Sequence, residues 1–328
     1  MAEFFTRHGR RGFCLGALAA GAALATPDPA RAQAWPARAI RIVVPAVAGG
    51  GLDTIARILA QKSAETLGQS VYVENKPGAN WIIGMDHVAK SPADGYTLMV
   101  LSASGLSINP HVFKGVPGLE EFTPLTLPTK GTFVLMLNPK LPMKTTREFI
   151  DHLKARPGKL NHASNSATTL LISELFKTEA GVDYVDVNYR GGAQAVTDTM
   201  SGVTDFCFVD LGTAIAFIQQ GTLRPLGVTS MTRYELTPEI PSLAEAGLSI
   251  AVDGGTALVA PANLPREIVS TLGAVFRKAI GSPDVRQRFE SLAQAAYGPD
   301  PEETGRILRG ESARWKKLIV ERNIQIAP

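Results

Sequence analysis

The sequence predicts an α/β fold whose sheet is mostly parallel and covered by helices on both faces. Short apolar runs alternate with stretches of helical periodicity along most of the chain. This alternation is typical of strand–helix–strand units, which place helices over both faces of a sheet. Two of the strand-to-helix junctions are also rich in glycine or hydroxyl residues, as is typical of ligand sites in such folds.

Each predicted element has its own local signal. Strands are predicted at Ile40–Val44, Val71–Val73, Tyr96–Leu101, Phe133–Leu137, Phe206–Val209 and Leu226–Thr229. Helices are predicted at Asp53–Leu67 before the stop signal Gly68, from the capping box Thr145–Glu148 to Pro157-Gly158, from Pro265 to Gly281, and along the apolar stripe Ile307–Ile319.

The amino terminus has the pattern of an export signal. Arg10 and Arg11 precede a weakly apolar, alanine-rich run that ends at the small-x-small site Ala32-Gln33-Ala34. The run is shorter than the roughly 20 residues that a membrane span requires. The arginine pair favours the twin-arginine route, with general secretion as the alternative. We expect residues 1–34 to be removed near Ala34 and the mature protein to work in the periplasm.

Charge and cysteine content exclude several classes of function. Without residues 1–34 the chain keeps 29 basic and 28 acidic residues, a near-neutral balance that argues against a nucleic-acid surface. Cys14 belongs to the signal, so that Cys207 has no intramolecular disulfide partner; its apolar neighbours predict a buried thiol. No histidine or cysteine spacing fits a metal site, and no cofactor is implied.

The first glycine-rich junction is Pro45–Asp53, directly between a predicted strand and a predicted helix. Its three glycines allow a sharp turn and a close approach of backbone N–H groups to a ligand. The helix behind adds unpaired N–H donors and the positive end of its dipole, and Asp53 occupies the expected N-cap position. A carboxylate would be held there without a charged side chain; the alternative is a tight turn without a ligand.

The second junction, Asn161–Thr169, places hydroxyl groups at another helix start. The same residues suit an ordinary N-cap, but two such junctions in one α/β chain favour two opposed anion sites. The pairing of His162 with Ser164 also raises an exported hydrolase as an alternative. The sequence lacks the G-x-S-x-G elbow of such enzymes, and we therefore expect a non-enzymatic protein.

A set of motifs in fixed order then identifies a resemblance that covers the chain from about Trp35 to the carboxyl terminus. The motifs are Pro45–Arg57, Val73–Ala79, Pro92–Leu98, Ile108–Pro110, Asn188–Ala193, Gly202–Asp205, Gly221–Arg224, Pro241–Gly247 and Arg314-Trp315. Together they resemble the tripartite tricarboxylate transporter substrate-binding family, the TctC or Bug receptors.

The resemblance implies a type II periplasmic-binding-protein fold, in which two α/β lobes joined by a hinge close on one ligand. Lobe 1 would comprise residues 35–135 and 255–328, and lobe 2 residues 136–254. The implied function is capture of a small carboxylate, a di- or tricarboxylic or aromatic acid, by a monomer that delivers it to membrane permease subunits. A receptor that signals to a membrane sensor kinase is the alternative.

The resemblance also assigns binding residues. In relatives the loops matching 46–53 and 164–168 hold a ligand carboxylate, largely through backbone groups and ordered water. On that basis binding roles are expected for Ala46, Val47, Gly50, Asp53, Ser164, Ser166 and Thr168. Ser102 and Ser104, at the end of a predicted strand, are expected to line the cleft.

Two further positions have less specific signals. Arg190 and Gly191 stand where relatives often have Lys-Gly, and Arg190 would bind a distal carboxylate or else be an exposed surface charge. Asp210 follows the predicted strand Phe206–Val209. It would meet a ligand ammonium group in an amino-acid receptor, or else be an ordinary polar strand end.

The chain departs from the family pattern at Asn80-Trp81, where relatives usually have two glycines. If this turn faces the cleft, Trp81 would shrink the pocket or stack on an aromatic acid. If it faces away, the indole is packing. Relatives also often have glycine around Asn165 and Ser166, and the polar side chains here would change which acid is preferred.

Overall fold

Two β-sheets organise the fold, and together they form one compact unit. The computed structural model describes residues 35–189, 191–322 and 324. The strands are β1 Ile40–Val44, β2 Val71–Asn75, β3 Thr97–Ser102, β4 Phe122–Lys130, β5 Phe133–Leu137, β6 Asn161–Ser164, β7 Val185–Asn188, β8 Phe206–Asp210, β9 Arg224–Val228, β10 Thr256–Pro261 and β11 Ala295–Ala296. One sheet has the order β11-β4-β10-β3-β1-β2 and the other β7-β6-β8-β5-β9.

Helices connect most of these strands. They are α1 Gly51–Leu67, α2 Ile82–Ala89, α3 Ala103–Val112, α4 Thr146–Ala155, α5 Ala167–Ala180, α6 Gly192–Ser201, α7 Leu211–Gln219, α8 Arg266–Gly281, α9 Pro283–Glu290 and α10 Pro301–Glu321. Short 3₁₀ turns lie at Ala79–Trp81, Leu119–Glu121 and Leu243–Ala246. The predicted cap of α4 is confirmed, since Thr145 Oγ1 accepts from Glu148 N–H, and Cys207 is buried as predicted.

The α/β class is confirmed, but each sheet is mixed rather than mostly parallel. In the first sheet β1 pairs in parallel with β2 and β3, whereas β10 runs antiparallel to β3 and β4. In the second, β6 pairs in parallel with β7 and β8, whereas β5 runs antiparallel to β8 and β9. The chain enters β5 and β10 from the other sheet, which explains why these two strands oppose the strands made by local crossovers.

The two crossings between the sheets lie side by side. Thr132, between β4 and β5, forms an antiparallel bridge with Asp253, which precedes β10. Gly254 N–H donates to Gly131 O over 2.9 Å in the same place. We refer to residues 130–133 and 253–256 as the crossover segments.

Helix α10 packs against the cores of both sheets. Leu308 is buried with residues of the first sheet. Trp315 and Ile319, two and three turns further on, are buried with residues of the second. A single helix therefore links the two cores in addition to the crossover segments.

Candidate ligand-binding site

Helices begin at the carboxyl ends of the parallel strands, along one edge of each sheet. In the first sheet β1 is followed by α1 and β3 by α3, and in the second β6, β7 and β8 are followed by α5, α6 and α7. The first turn of a helix has N–H groups without helical acceptors and the positive end of the dipole. These edges are therefore suited to bind anions.

The loop before α1 has the conformation that its glycines predict. Gly49 has a φ of 82°, in the left-handed region that favours glycine. The first helical bond of α1 runs from Thr54 N–H to Gly50 O. The N–H groups of Gly51, Leu52 and Asp53 consequently have no acceptor within the helix. Val47 projects from this loop with 59% of its surface exposed.

Asp53 differs from its predicted role as N-cap. The N-cap is Gly50, and Asp53 lies inside the first turn with only 2% of its surface exposed. Its carboxylate accepts from Gly49 N–H, Arg57 Nε and Asn75 Nδ2, each at 2.9 Å. Burial opposes ionisation, but these hydrogen bonds outweigh it and lower the pKa of Asp53. Asp53 thus holds the loop in shape, and its charge is compensated within the loop.

Asn75, at the end of β2, is a positioning residue that the sequence reasoning missed. Its Nδ2 donates both to Asp53 Oδ1 and, over 3.0 Å, to Ala46 O. One amide therefore ties the loop at its start and at its end. The only sequence signal was its place in the motif Val73–Ala79.

The start of α5 is a capped helix terminus in which most hydroxyl groups are already engaged. Ser166 is the N-cap and accepts from Thr169 N–H, as the alternative reading of this junction expected. Ser164 is buried, and its Oγ donates to Asn188 Oδ1 over 2.6 Å. The N–H groups of Ala167 and Thr168 are left without a helical acceptor, since the first helical bond runs from Leu170 N–H to Ser166 O.

One side-chain pair brings the edges of the two sheets together. Ser104 Oγ, in the first turn of α3, lies 3.5 Å from Thr168 Oγ1, in the first turn of α5. Ser104 also lies 2.9 Å from the hydroxyl of Ser102, which caps α3. All three residues are less than 10% exposed. Predicted site residues from distant parts of the chain are therefore neighbours.

In the second sheet, the starts of α5, α6 and α7 also lie close together. A Cβ on Gly192, the first residue of α6, would lie 3.3 Å from Asn165 Nδ2 and 3.4 Å from Thr213 Cγ2. Asn165 Oδ1 is buried and has no hydrogen-bond partner within the described residues. Gly191 is the N-cap of α6 and supplies no side-chain cap. Arg190 lies outside the described residues.

Asp210 lies against the crossover segments. It caps α7 by accepting from Gly212 N–H over 2.9 Å, and Gln294 Nε2 reaches its two oxygens over 3.4 and 3.3 Å. A Cβ on Gly254 would come within 2.9 Å of Asp210 Oδ2. Burial raises the pKa of Asp210 to about 7 in spite of these hydrogen bonds. Gln294, which precedes β11 of the first sheet, had no sequence signal.

His162 and Ser164 do not form a hydrolase pair. His162 Nδ1 lies 2.6 Å from Asp186 Oδ1, and Nε2 accepts from Phe208 N–H over 3.1 Å. Both ring nitrogens are therefore used, and neither is available to Ser164 as a general base. Burial lowers the pKa of His162, with Asp186 opposing the effect. The ring is a buried structural element of the second sheet.

Within the described residues, no three histidine, cysteine or acidic side chains are placed to hold a metal ion. A cavity of about 230 Å³ opens between α3, β4 and α10, and of the predicted binding residues only Ser104 lines it. The convergence of helix starts, rather than this cavity, defines the candidate site.

Comparison with known proteins assigns the family. Residues 55–324 match the model of the tripartite tricarboxylate transporter family receptor, TctC. The chain is 36% identical to a protein encoded in the tcbD-tcbE intergenic region of Pseudomonas sp. strain P51, over 92% of this chain and 93% of that protein. It is 33% identical to BugT of Bordetella pertussis, over 89% of this chain and 92% of BugT. The chain belongs to the TctC family of extracytoplasmic solute receptors.

Solved structures agree with this assignment. An R. palustris protein solved with adipate superposes with a TM-score of 0.83 at 29% identity, over 89% of this chain and 99% of that one. MatC from Rhodopseudomonas palustris, solved with bound malate, gives 0.81 at 27% identity, over 87% of this chain and all of MatC. The fold is that of these periplasmic binding proteins. No helix in the described part of the chain combines the length and apolarity that crossing a bilayer requires.

Proposed function

We propose that this protein captures a small organic carboxylate between its two sheets and delivers it to the membrane subunits of a tripartite tricarboxylate transporter. The observation that carries the proposal is the contact of Ser104 with Thr168, which joins helix starts from the facing edges of the two sheets. Helix amino termini favour anions. Two relatives of similar fold were solved with adipate and malate, both of which are dicarboxylates.

The carboxylate would be held mainly by backbone amides. The N–H groups of Gly51 and Leu52 on one edge and of Ala167 and Thr168 on the other have no helical acceptor. Each charge-assisted hydrogen bond contributes about 1.5–3 kcal/mol. Asp53 does not oppose an anion here, since Arg57 compensates its charge.

Binding would be coupled to closure of two lobes. The expected boundary at residue 135 would cut β5, which pairs only within the second sheet. We therefore assign residues 35–132 with 255–328 to one lobe and 133–254 to the other. The crossover segments, rich in glycine, would flex. A ligand that prefers the closed form by about 5 kcal/mol converts a mostly open population into a mostly closed one. A few amide-to-carboxylate bonds supply that preference, and no chemical step is required.

The test is ligand-induced stabilisation with adipate and malate as probes. A ligand at 100 times its dissociation constant adds about 2.7 kcal/mol to the free energy of unfolding. Gly50→Val is the diagnostic variant, because Gly50 is the N-cap of α1 and its Cβ would meet only Val47 O, at an ordinary 3.6 Å. The variant should therefore fold while adding bulk at the start of the helix whose amides would bind the carboxylate. Gly281→Ala, in open space at the end of α8, is the control.

We expect a thermal shift for the wild type and for Gly281→Ala, and none for Gly50→Val. An equal shift in all three would place the carboxylate elsewhere. No shift with any acid of a wider carboxylate screen would reject the function itself.

We further propose that the protein reaches the periplasm by cleavage near Ala34, through the twin-arginine route that Arg10 and Arg11 indicate. These residues lie outside those that the structure describes. The double variant Arg10→Lys/Arg11→Lys should leave uncleaved precursor in the cytoplasm. Normal secretion of the variant would instead assign the chain to the general route.

A further inference from the structure

The turn between β2 and α2 has an unusual backbone. Ala79, Asn80 and Trp81 have φ values of 46°, 50° and 75°, three consecutive residues in the left-handed region that favours glycine. Asparagine tolerates this region, whereas alanine and tryptophan adopt it at a cost of about 1–2 kcal/mol per residue. Such a backbone persists only where its surroundings hold it, and it is often found at ligand sites.

The surroundings that hold this turn belong to the candidate site. Asn109 of α3 donates from Nδ2 to Asn80 O over 2.7 Å. A Cβ on Gly84, at the start of α2, would lie 2.6 Å from Pro45 Cβ, at the start of the loop before α1. The turn therefore lies between the glycine-rich loop and α3, along the same edge of the first sheet.

The indole of Trp81 lies on the first turn of α3. A Cβ on Gly105 would overlap the six-membered part of the ring, so that only glycine leaves room for it. Gly105 follows Ser104, whose hydroxyl lies 3.5 Å from Thr168 on the facing edge. Trp81 remains partly exposed. The partly exposed indole thus lies on the residue of α3 that follows the meeting point of the two edges.

We propose that Trp81 is a wall of the ligand site and selects a carboxylate attached to a flat ring. The inference rests on the proposed function. With the carboxylate held by helix amides, a planar ring stacks on the indole at an offset, an arrangement that contributes beyond the area it buries. A flexible aliphatic acid of equal length gains less from the same face and loses more rotational freedom on binding.

Two pairs of ligands distinguish the effect of an aromatic ring on affinity from the effect of charge. Terephthalate and adipate both have two carboxylates, and benzoate and hexanoate both have one; only the first of each pair has an aromatic ring. Calorimetric titration of the wild type should show the aromatic acid of a pair binding about tenfold more tightly. A wild type that binds the aliphatic member as tightly overturns the inference.

Three variants test whether the indole of Trp81 causes the preference for aromatic acids. Trp81→Gly suits the left-handed backbone, and so it should fold; it should lose most of the tenfold preference, with adipate affinity falling less than about threefold. Trp81→Phe should retain the preference. Gly105→Ala keeps the indole but displaces it, and should weaken the binding of terephthalate as Trp81→Gly does.

The outcomes of these titrations separate the two proposals. A ratio of aromatic to aliphatic affinity that is unchanged in both Trp81→Gly and Gly105→Ala would show that the indole is packing only. Carboxylate capture would then stand, and only the role of Trp81 would fail. If neither member of either pair, nor any other acid screened, binds the wild type, carboxylate capture fails and the specificity proposal fails with it.

Discussion

Asp210→Asn should remove a pH dependence of stability that originates at the crossover segments. The wild-type carboxyl has its pKa raised from 3.8 to about 7, so that the folded protein holds this proton more tightly than the unfolded chain does. Below about pH 4 the carboxyl is protonated in both states. Between about pH 4 and pH 7 the unfolded chain has released this proton while the folded protein keeps it, and wild-type stability therefore falls relative to the variant; above pH 7 the difference is constant.

The size of the effect follows from the difference between the two pKa values. A difference of about 3 log units corresponds to about 4 kcal/mol. About two thirds of this figure falls above pH 5, and solvent screening of a side chain that is not fully enclosed reduces it further. We expect about 2 kcal/mol between about pH 5 and pH 8.5. Any fixed cost of the asparagine facing Gln294 is the same at every pH and does not alter the slope.

The assay is urea unfolding of the wild type and Asp210→Asn at a series of pH values. The quantity of interest is the difference between their free energies of unfolding. His87, His111, His152 and His162 have pKa values lowered chiefly by burial and contribute a slope of the opposite sign. They are common to both proteins and cancel in the difference. If this difference is the same at every pH from 5 to 8.5, the pKa of Asp210 is not raised in the folded protein and the reasoning is refuted.

Three further outcomes are expected. His162→Ala should lower the free energy of unfolding by about 3 kcal/mol in urea, since it leaves a cavity, leaves Phe208 N–H without its acceptor and removes one of the partners of Asp186; a loss below about 1 kcal/mol would contradict this role. Gly131→Ala should lower the melting temperature by the equivalent of about 1–3 kcal/mol, because its Cβ would lie 2.8 Å from the backbone oxygen of Gly254, besides 2.6 Å from the amide of Gln294. Cys207, whose pKa burial raises to about 12, should not react with a thiol reagent near pH 8 until the protein is denatured.

Local patterns determined much of the candidate site. The three glycines after β1 predicted a turn that presents amides, and Gly49 does adopt a left-handed φ. The same pattern placed Asp53 at the N-cap, which is wrong. Asp53 turns inward because Arg57, one helical turn on, and Asn75, on another strand, both bond to it. Only the first of these partners is close enough in sequence to enter a local argument.

The direction of β5 and β10 within their sheets also could not be predicted from the local sequence. Apolar runs predicted β5, but a strand pattern does not indicate which neighbour it pairs with or in which direction. β4 and β10 were missed altogether; β4 contains Pro124 and Pro128, and β10 ends in Pro261, residues that weaken a strand pattern.

The sequence by itself determined the α/β class, the positions of most strand-to-helix junctions and the family, because each depends on residues within a few turns of one another or on motifs in fixed order. Tertiary structure alone decided that Ser104 meets Thr168, 64 residues away, and that Asp210 meets Gln294, 84 residues away. It also decided that Trp81 lies on Gly105. Hydrogen bonding and burial depend on distance in space, and therefore the charge state of Asp210 and the surroundings of the indole exist only once both sheets have packed.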